Sequence, residues 1–211
     1  MLRLRAARSE EESIIQLSTA MSDGVLMLAA FAACIWLRRR GERYTSTGFL
    51  LIGIAAFIGA VRFSINPELA ELHGFVSDLA TCTGLPLIGV QYLATCYGWP
   101  GPDGRMTTMG ASVVGFAAFG LAFPVPLYGT IVGAISMGLV IAGAIRCLPL
   151  HPARASRAIG GAVAFIVAGL AVGTQGTLGP FLRVDVFHGI LVLAIAGLTT
   201  GLPVRGPDAV V

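Results

Sequence analysis

The sequence predicts an all-α fold, a polytopic membrane bundle of seven transmembrane helices with the N-terminus outside and the C-terminus inside. Three observations predict it. Hydrophobic residues make up 55% of the chain and charged residues only 12%, against about a quarter charged in soluble domains. Apolar runs of about 20 residues, the length that spans a bilayer as helix, recur between short polar connectors. The arginines also collect in alternate connectors, as the positive-inside rule requires of a multi-span chain.

The elements follow in order. A first span ends before Arg38, Arg39 and Arg40. Residues 25–37 alone are too short to cross, so the helix begins near Leu17 and carries Asp23 into the membrane. The alternative is a first segment lying on the surface as an amphipathic helix, which leaves six spans. The second span covers 46–63 and the third 74–97, closed by a Gly- and Pro-rich stretch from Gly98 to Gly104. The fourth covers 109–124, where Pro124 and Pro126 force a turn, and the fifth covers 128–148. The sixth covers 158–178, closed by Gly179 and Pro180, and the seventh covers 184–204. The chain then divides into a tail over 1–16, one transmembrane domain over 17–204 and a tail over 205–211.

Orientation rests on charge. Arg38, Arg39, Arg40, Arg43, Arg105, Arg146, Arg154, Arg157 and Arg205 share one side. The other side holds Arg62, Arg183 and the N-terminal Arg3, Arg5 and Arg8. The expected location is a bacterial inner membrane. Glu10, Glu11 and Glu12 ahead of the first apolar run do not fit a signal peptide.

Composition also excludes chemistry. There is no lysine; all 14 basic residues are arginine. A retinal Schiff base and lysine-dependent covalent catalysis are therefore ruled out. Cys34, Cys82, Cys96 and Cys147 lie in or beside apolar runs without a C-x-x-C, and read as small core residues rather than a disulfide or metal framework. No phosphate-binding loop, dinucleotide fingerprint or nucleophile elbow is present. No basic, aromatic-laced surface suggests nucleic acid.

The polar residues within the spans gather at one depth, near the outer side. Asp23 lies in span one, and Arg62 and Ser64 end span two. His73 and Asp78 open span three, Gln175 lies near the outer end of span six, and Arg183, Asp185 and His188 open span seven. Asp185 and His188 are three apart and share a helix face, as His73 and Ser77 do at a spacing of four. Ionisable groups in a membrane are costly and face a bundle interior, a cavity or a partner. One reading is a site built from helices one, two, three, six and seven. Another pairs Asp23 and Asp78 with Arg62 and Arg183 to hold helix ends together. A third is snorkelling to the interface.

At these residues the chain resembles the CREST superfamily, which includes the alkaline ceramidases and the progestin and adipoQ receptors. Ser64, Asp78 and His188 match a serine ending helix two, an aspartate opening helix three and a histidine in helix seven. Asp23 matches an acid in helix one of related bacterial proteins. Glu68 and Val184 stand where that family carries its other two histidines. The resemblance implies a zinc ion; the residues by themselves call for no cofactor. In this chain the zinc ligands would be His73, His188 and an acid, Asp185 or Asp78. The remaining aspartate would act as general base and Ser64 as oxyanion donor, with Arg62 or Arg183 holding a lipid phosphate.

Three function classes follow. The first is a non-catalytic accessory or lipid- or ligand-binding module on this scaffold, with membrane lipids and a protein partner in a membrane complex as its contacts. The second is a zinc-dependent lipid amide or ester hydrolase at the outer leaflet. The third is a small-solute transporter, motivated by Gln91, Gln175 and the many glycines.

Overall fold

A computed structural model describes residues 2–99 and 104–203, and the side chains of 16–99 and 107–203. The parts of the expected N- and C-terminal tails that carry Arg3, Arg5, Arg8 and Arg205 lie outside the described side chains. The chain folds as helices α1 (Leu2–Arg39), α2 (Arg43–Ser64), α3 (Ala70–Leu79), α4 (Leu85–Cys96) and α5 (Gly104–Ala122). These are followed by α6 (Tyr128–Cys147), α7 (Pro152–Val167) and α8 (Arg183–Gly201). A two-stranded hairpin, β1 (Thr177–Leu178) with β2 (Phe181–Leu182), precedes α8.

Among the described residues, six helical stretches are long and apolar enough to cross a membrane: Gln16–Arg39, Arg43–Ser64, Pro67–Cys96, Tyr128–Cys147, Pro152–Val172 and Arg183–Gly201. The fourth expected span is shorter. The apolar part of α5, Thr107–Ala122, is only about 24 Å long at 1.5 Å per residue, against a hydrocarbon core of about 30 Å. It packs outside the others, against α4 and the turn before it.

The start of the third rod follows from local chemistry. Asn66 caps it, its side-chain oxygen accepting from the Glu68 N–H at 3.1 Å. Pro67 sits just inside, where a missing N–H costs nothing. A single-turn 3-10 helix over Pro67–Leu69 leads into α3, so the rod begins before residue 74. A π-helical turn over Ala80–Gly84 then joins α3 to α4 without a break. A second π turn, Ala168–Val172, ends α7. Gly173 stops that helix at φ +66° with extended ψ, a conformation that only glycine adopts readily. The sixth span therefore ends earlier than residue 178.

The rods close into a ring. α1 lies between α2 and α8, α7 between α8 and α6, and the α3–α4 rod between α6 and α2. The buried face of α1 carries Asp23, Leu26, Ala30, Ala33 and Leu37, while Leu17, Met21, Val25, Leu28 and Ile35 face outward. Apolar residues thus surround this helix, and its acid is turned inward, as expected where the solvent is lipid. Packing relies on small residues that let backbones touch. A Cβ on Gly48 of α2 would stand 2.5 Å from the Gly84 carbonyl oxygen. Between α7 and α8, a Cβ on Gly161 would stand 2.8 Å from both the Ala194 carbonyl oxygen and the Leu198 nitrogen.

The reading of all four cysteines as separate core residues is corrected in part. Cys34 and Cys82 are free and buried. Cys96 and Cys147 form a disulfide with a Cα–Cα distance of 5.5 Å. The two residues end α4 and α6. Those helices pack side by side and point the same way, because one helix, α5, separates them in the chain.

Candidate functional site

The polar side chains meet where α1, α2, α3 and α8 come together. Ser18 and Ser22 are four apart on α1 and present their hydroxyls to one helix face. α8 answers with Asp185 and His188, three apart in its first two turns. Asp185 sits in the first turn, where the helix N-terminus favours a carboxylate. Ser18 donates to Asp185 Oδ2, and Ser22 Oγ lies 2.7 Å from Asp185 Oδ1. Ser22 Oγ also lies 3.0 Å from the Thr19 carbonyl and 2.9 Å from His188 Nδ1.

These contacts fix the histidine tautomer. A serine hydroxyl has one proton, and two oxygens already compete for it. His188 Nδ1 is therefore the donor to Ser22. Its other nitrogen, Nε2, faces Asp23 Oδ1 at 3.5 Å. That pair shares one proton, held by the carboxyl or by the imidazole.

Asp23 is 2% exposed, and its second oxygen, Oδ2, is buried with no hydrogen-bond partner among the described residues. Opposite it stands His73 of α3. Arg62 Nη1 lies 3.1 Å from His73 Nδ1. A guanidinium can only donate, so Nδ1 accepts and the neutral ring carries its proton on Nε2. Between the two groups the backbone of α2 contributes Gly59. A Cβ there would stand 2.6 Å from Asp23 Oδ2 and 2.9 Å from His73 Nε2.

Asp23, His73, Ser77 and His188 line one wall of a cleft of about 160 Å³. It adjoins a half-open groove of about 280 Å³ between α6 and α7, and the two share Thr81, Leu85, Phe165 and Phe187. The groove is mostly apolar, lined by Gly133, Ala134, Met137, Ile166 and Leu170 among others. Both π turns border it, the first through Thr81 and the second through Gly169 and Leu170.

Of the residues singled out in the sequence, Asp23, Arg62, His73, Asp185 and His188 come together. Four do not join them. Ser64 is exposed and donates back to the Ala60 carbonyl of its own helix at 2.6 Å. Asp78 is exposed and lines the groove, away from the histidines. Gln175 is exposed in the bend after Gly173 and is not part of a helix. Arg183 donates from Nη1 to the Val172 carbonyl at 3.2 Å and so ties α8 to the end of α7. Among the described residues no ion pair joins Asp23 or Asp78 to Arg62 or Arg183. Ser18, Ser22 and Gly59 were not picked out from the sequence. The spacing of Ser18 and Ser22, which matches that of Asp185 and His188, is the signal that could have found the serines.

The zinc ion implied by the CREST resemblance can be tested on this donor set. A ligating imidazole coordinates through one nitrogen and donates its other N–H to an acceptor. The far nitrogen of His73 instead faces a guanidinium, which leaves the proton on the nitrogen that would bind metal. Asp185 is occupied by two serine hydroxyls. Among the described residues, no three His, Cys, Asp or Glu side chains form a group that could hold a metal ion. The arrangement does not fit zinc.

In comparisons with known proteins, the chain matches no family model, no curated protein and no solved structure.

Proposed function

We propose that the protein is a non-catalytic membrane module that binds an amphiphilic lipid. The observation that carries this reading is the junction of two spaces: a cleft walled on one side by Asp23, His73 and His188 runs into an apolar groove between α6 and α7. A polar head fits the first and a hydrocarbon chain the second, as ligand sites pair an apolar lining with a few placed polar groups. The bundle sits in a bacterial inner membrane with α5 as a seventh span, N-terminus outside. The cleft then lies in the outer leaflet half, where lipid enters sideways between α6 and α7. Gln91 and Gln175, which motivate a transport reading, stand apart from the cleft. Gln91 donates to Thr95 Oγ1 at 3.2 Å and accepts from the Tyr44 N–H at 3.4 Å.

The test is lipid retention after purification in mild detergent, read by native mass spectrometry. One lipid per protein is expected on the parent chain. Gly133→Phe, which fills the groove, should lose it. Gly138→Phe, on the same helix but with nothing within 4 Å of its Cβ position, should keep it. Equal retention in both variants, or none in the parent, would overturn the reading.

A further inference from the structure

The end of the cleft lined by Asp23 and His73 has a defined hydrogen-bonding character. Asp23 Oδ2 is buried, with no partner among the described residues. A buried acceptor left unsatisfied is costly, so its presence calls for a donor. The proton shared by Asp23 and His188 lies on the Oδ1 side, so Oδ2 remains an acceptor whichever group holds it. His73 Nε2 presents an N–H, because Arg62 occupies Nδ1 as a donor. No direct bond joins Oδ2 to Nε2, although both groups lie against Gly59 and both side chains line the cleft. An occupant between them must donate on one side and accept on the other. A hydroxyl does both with one oxygen. An ammonium only donates, and an ether or ester oxygen only accepts.

We propose that Asp23, His73 and Gly59 form a hydroxyl-specific subsite, which takes the alcohol group of a membrane amphiphile. The alcohol donates to Asp23 Oδ2 and accepts from His73 Nε2–H. Gly59 is the specificity-determining residue, because a Cβ there would stand 2.6 Å from Oδ2 and 2.9 Å from Nε2 and would push the two groups out of place. The inference rests on the lipid-binding reading and names its ligand class. The same chemistry could also be met by a water molecule, which the experiment separates from a lipid alcohol.

The full chain in nanodiscs is titrated with tritiated dodecanol, with empty discs as the blank. Unlabelled dodecanol, dodecyl methyl ether and dodecylamine then compete for the saturable sites. Leaving the buried Asp23 acceptor without a donor predicts that the ether binds about ten-fold more weakly than the alcohol, and the amine should also fall behind. Gly59→Ala should erase that preference. His73→Leu should weaken the alcohol selectively, and His73→Gln, whose amide N–H replaces the imidazole donor, should restore it. These two variants keep the test decisive if Gly59→Ala fails to fold. Equal competition by alcohol and ether, with Gly133→Phe still blocking uptake, would overturn the subsite: that end of the cleft then holds a bridging water only, and lipid binding stands. No saturable uptake by the parent would overturn the lipid-binding reading and the subsite with it.

Discussion

Ser22 shows how much one small side chain can organise. Its hydroxyl lies within hydrogen-bond distance of Asp185, His188 and the Thr19 carbonyl. By accepting a hydrogen bond from His188 Nδ1 it turns the other imidazole nitrogen towards Asp23. Ser22→Ala leaves a part-buried N–H without its partner, at a cost of about 1–3 kcal/mol. Ser112→Ala is the control, because that exposed serine only donates back to Thr108 of its own helix. An exposed change of this kind stays within about 0.5 kcal/mol. Unfolding in detergent, followed by circular dichroism, should separate the two. Equal stability would mean that the Ser22–His188 bond contributes nothing. The residues of this network were partly legible in the sequence. Asp23, His73, Asp185 and His188 stand out because charge in an apolar run is rare. Ser18, Ser22 and Gly59 do not, because serine and glycine are common in membrane helices and gain meaning only from what lies opposite.

At the scale of elements, helix contacts depend on which glycine faces a neighbour. Gly160 and Gly161 are adjacent on α7. A Cβ on Gly160 would meet nothing within 4 Å, whereas one on Gly161 would press on the α8 backbone. Gly161→Leu should therefore force α7 from α8 and destabilise by at least the 1–3 kcal/mol typical of overpacking, roughly. Gly160→Leu should be tolerated. Thermal unfolding and gel-filtration profiles of the two variants check this; similar behaviour would refute the close α7–α8 crossing. The groove is also set at this scale. The π turns at Ala80–Gly84 and Ala168–Val172 border it on two sides. Such bulges within helices recur at functional sites. Neither is legible in the sequence, since an apolar run has the same pattern whether one of its turns is α or π. The hairpin after Gly173 is partly legible: its glycines and proline mark a turn, but the point where α7 stops is fixed by the φ of Gly173.

For the whole molecule, orientation and redox state are linked. Cys96 and Cys147 end α4 and α6 at the same face as Arg38, Arg39, Arg40 and Arg43. With the N-terminus outside, that face meets the cytoplasm, where thiols are kept reduced. In cells that face would keep the Cys96–Cys147 bond open, so a membrane-permeant maleimide applied to intact cells should label both cysteines without added reductant, and the pair should close on oxidation. Labelling only after reduction would place this face in an oxidising compartment and reverse the orientation.

Long apolar helices are legible in the chain itself, as is the gathering of the ionisable residues within the spans, Asp23, His73, Asp185 and His188, towards one end. Both follow from local composition, because length and hydropathy decide whether a segment can cross a membrane. Which of those residues meet depends on how the helices pack. Ser64 turned back on its own helix, Gln175 fell into a bend, and Asp78 went to the groove. Asp23 met His188 because α1 lies beside α8, a neighbour at the far end of the chain. Facing and rotation depend on how small residues let helices approach, and those contacts join positions that no local pattern in the chain relates.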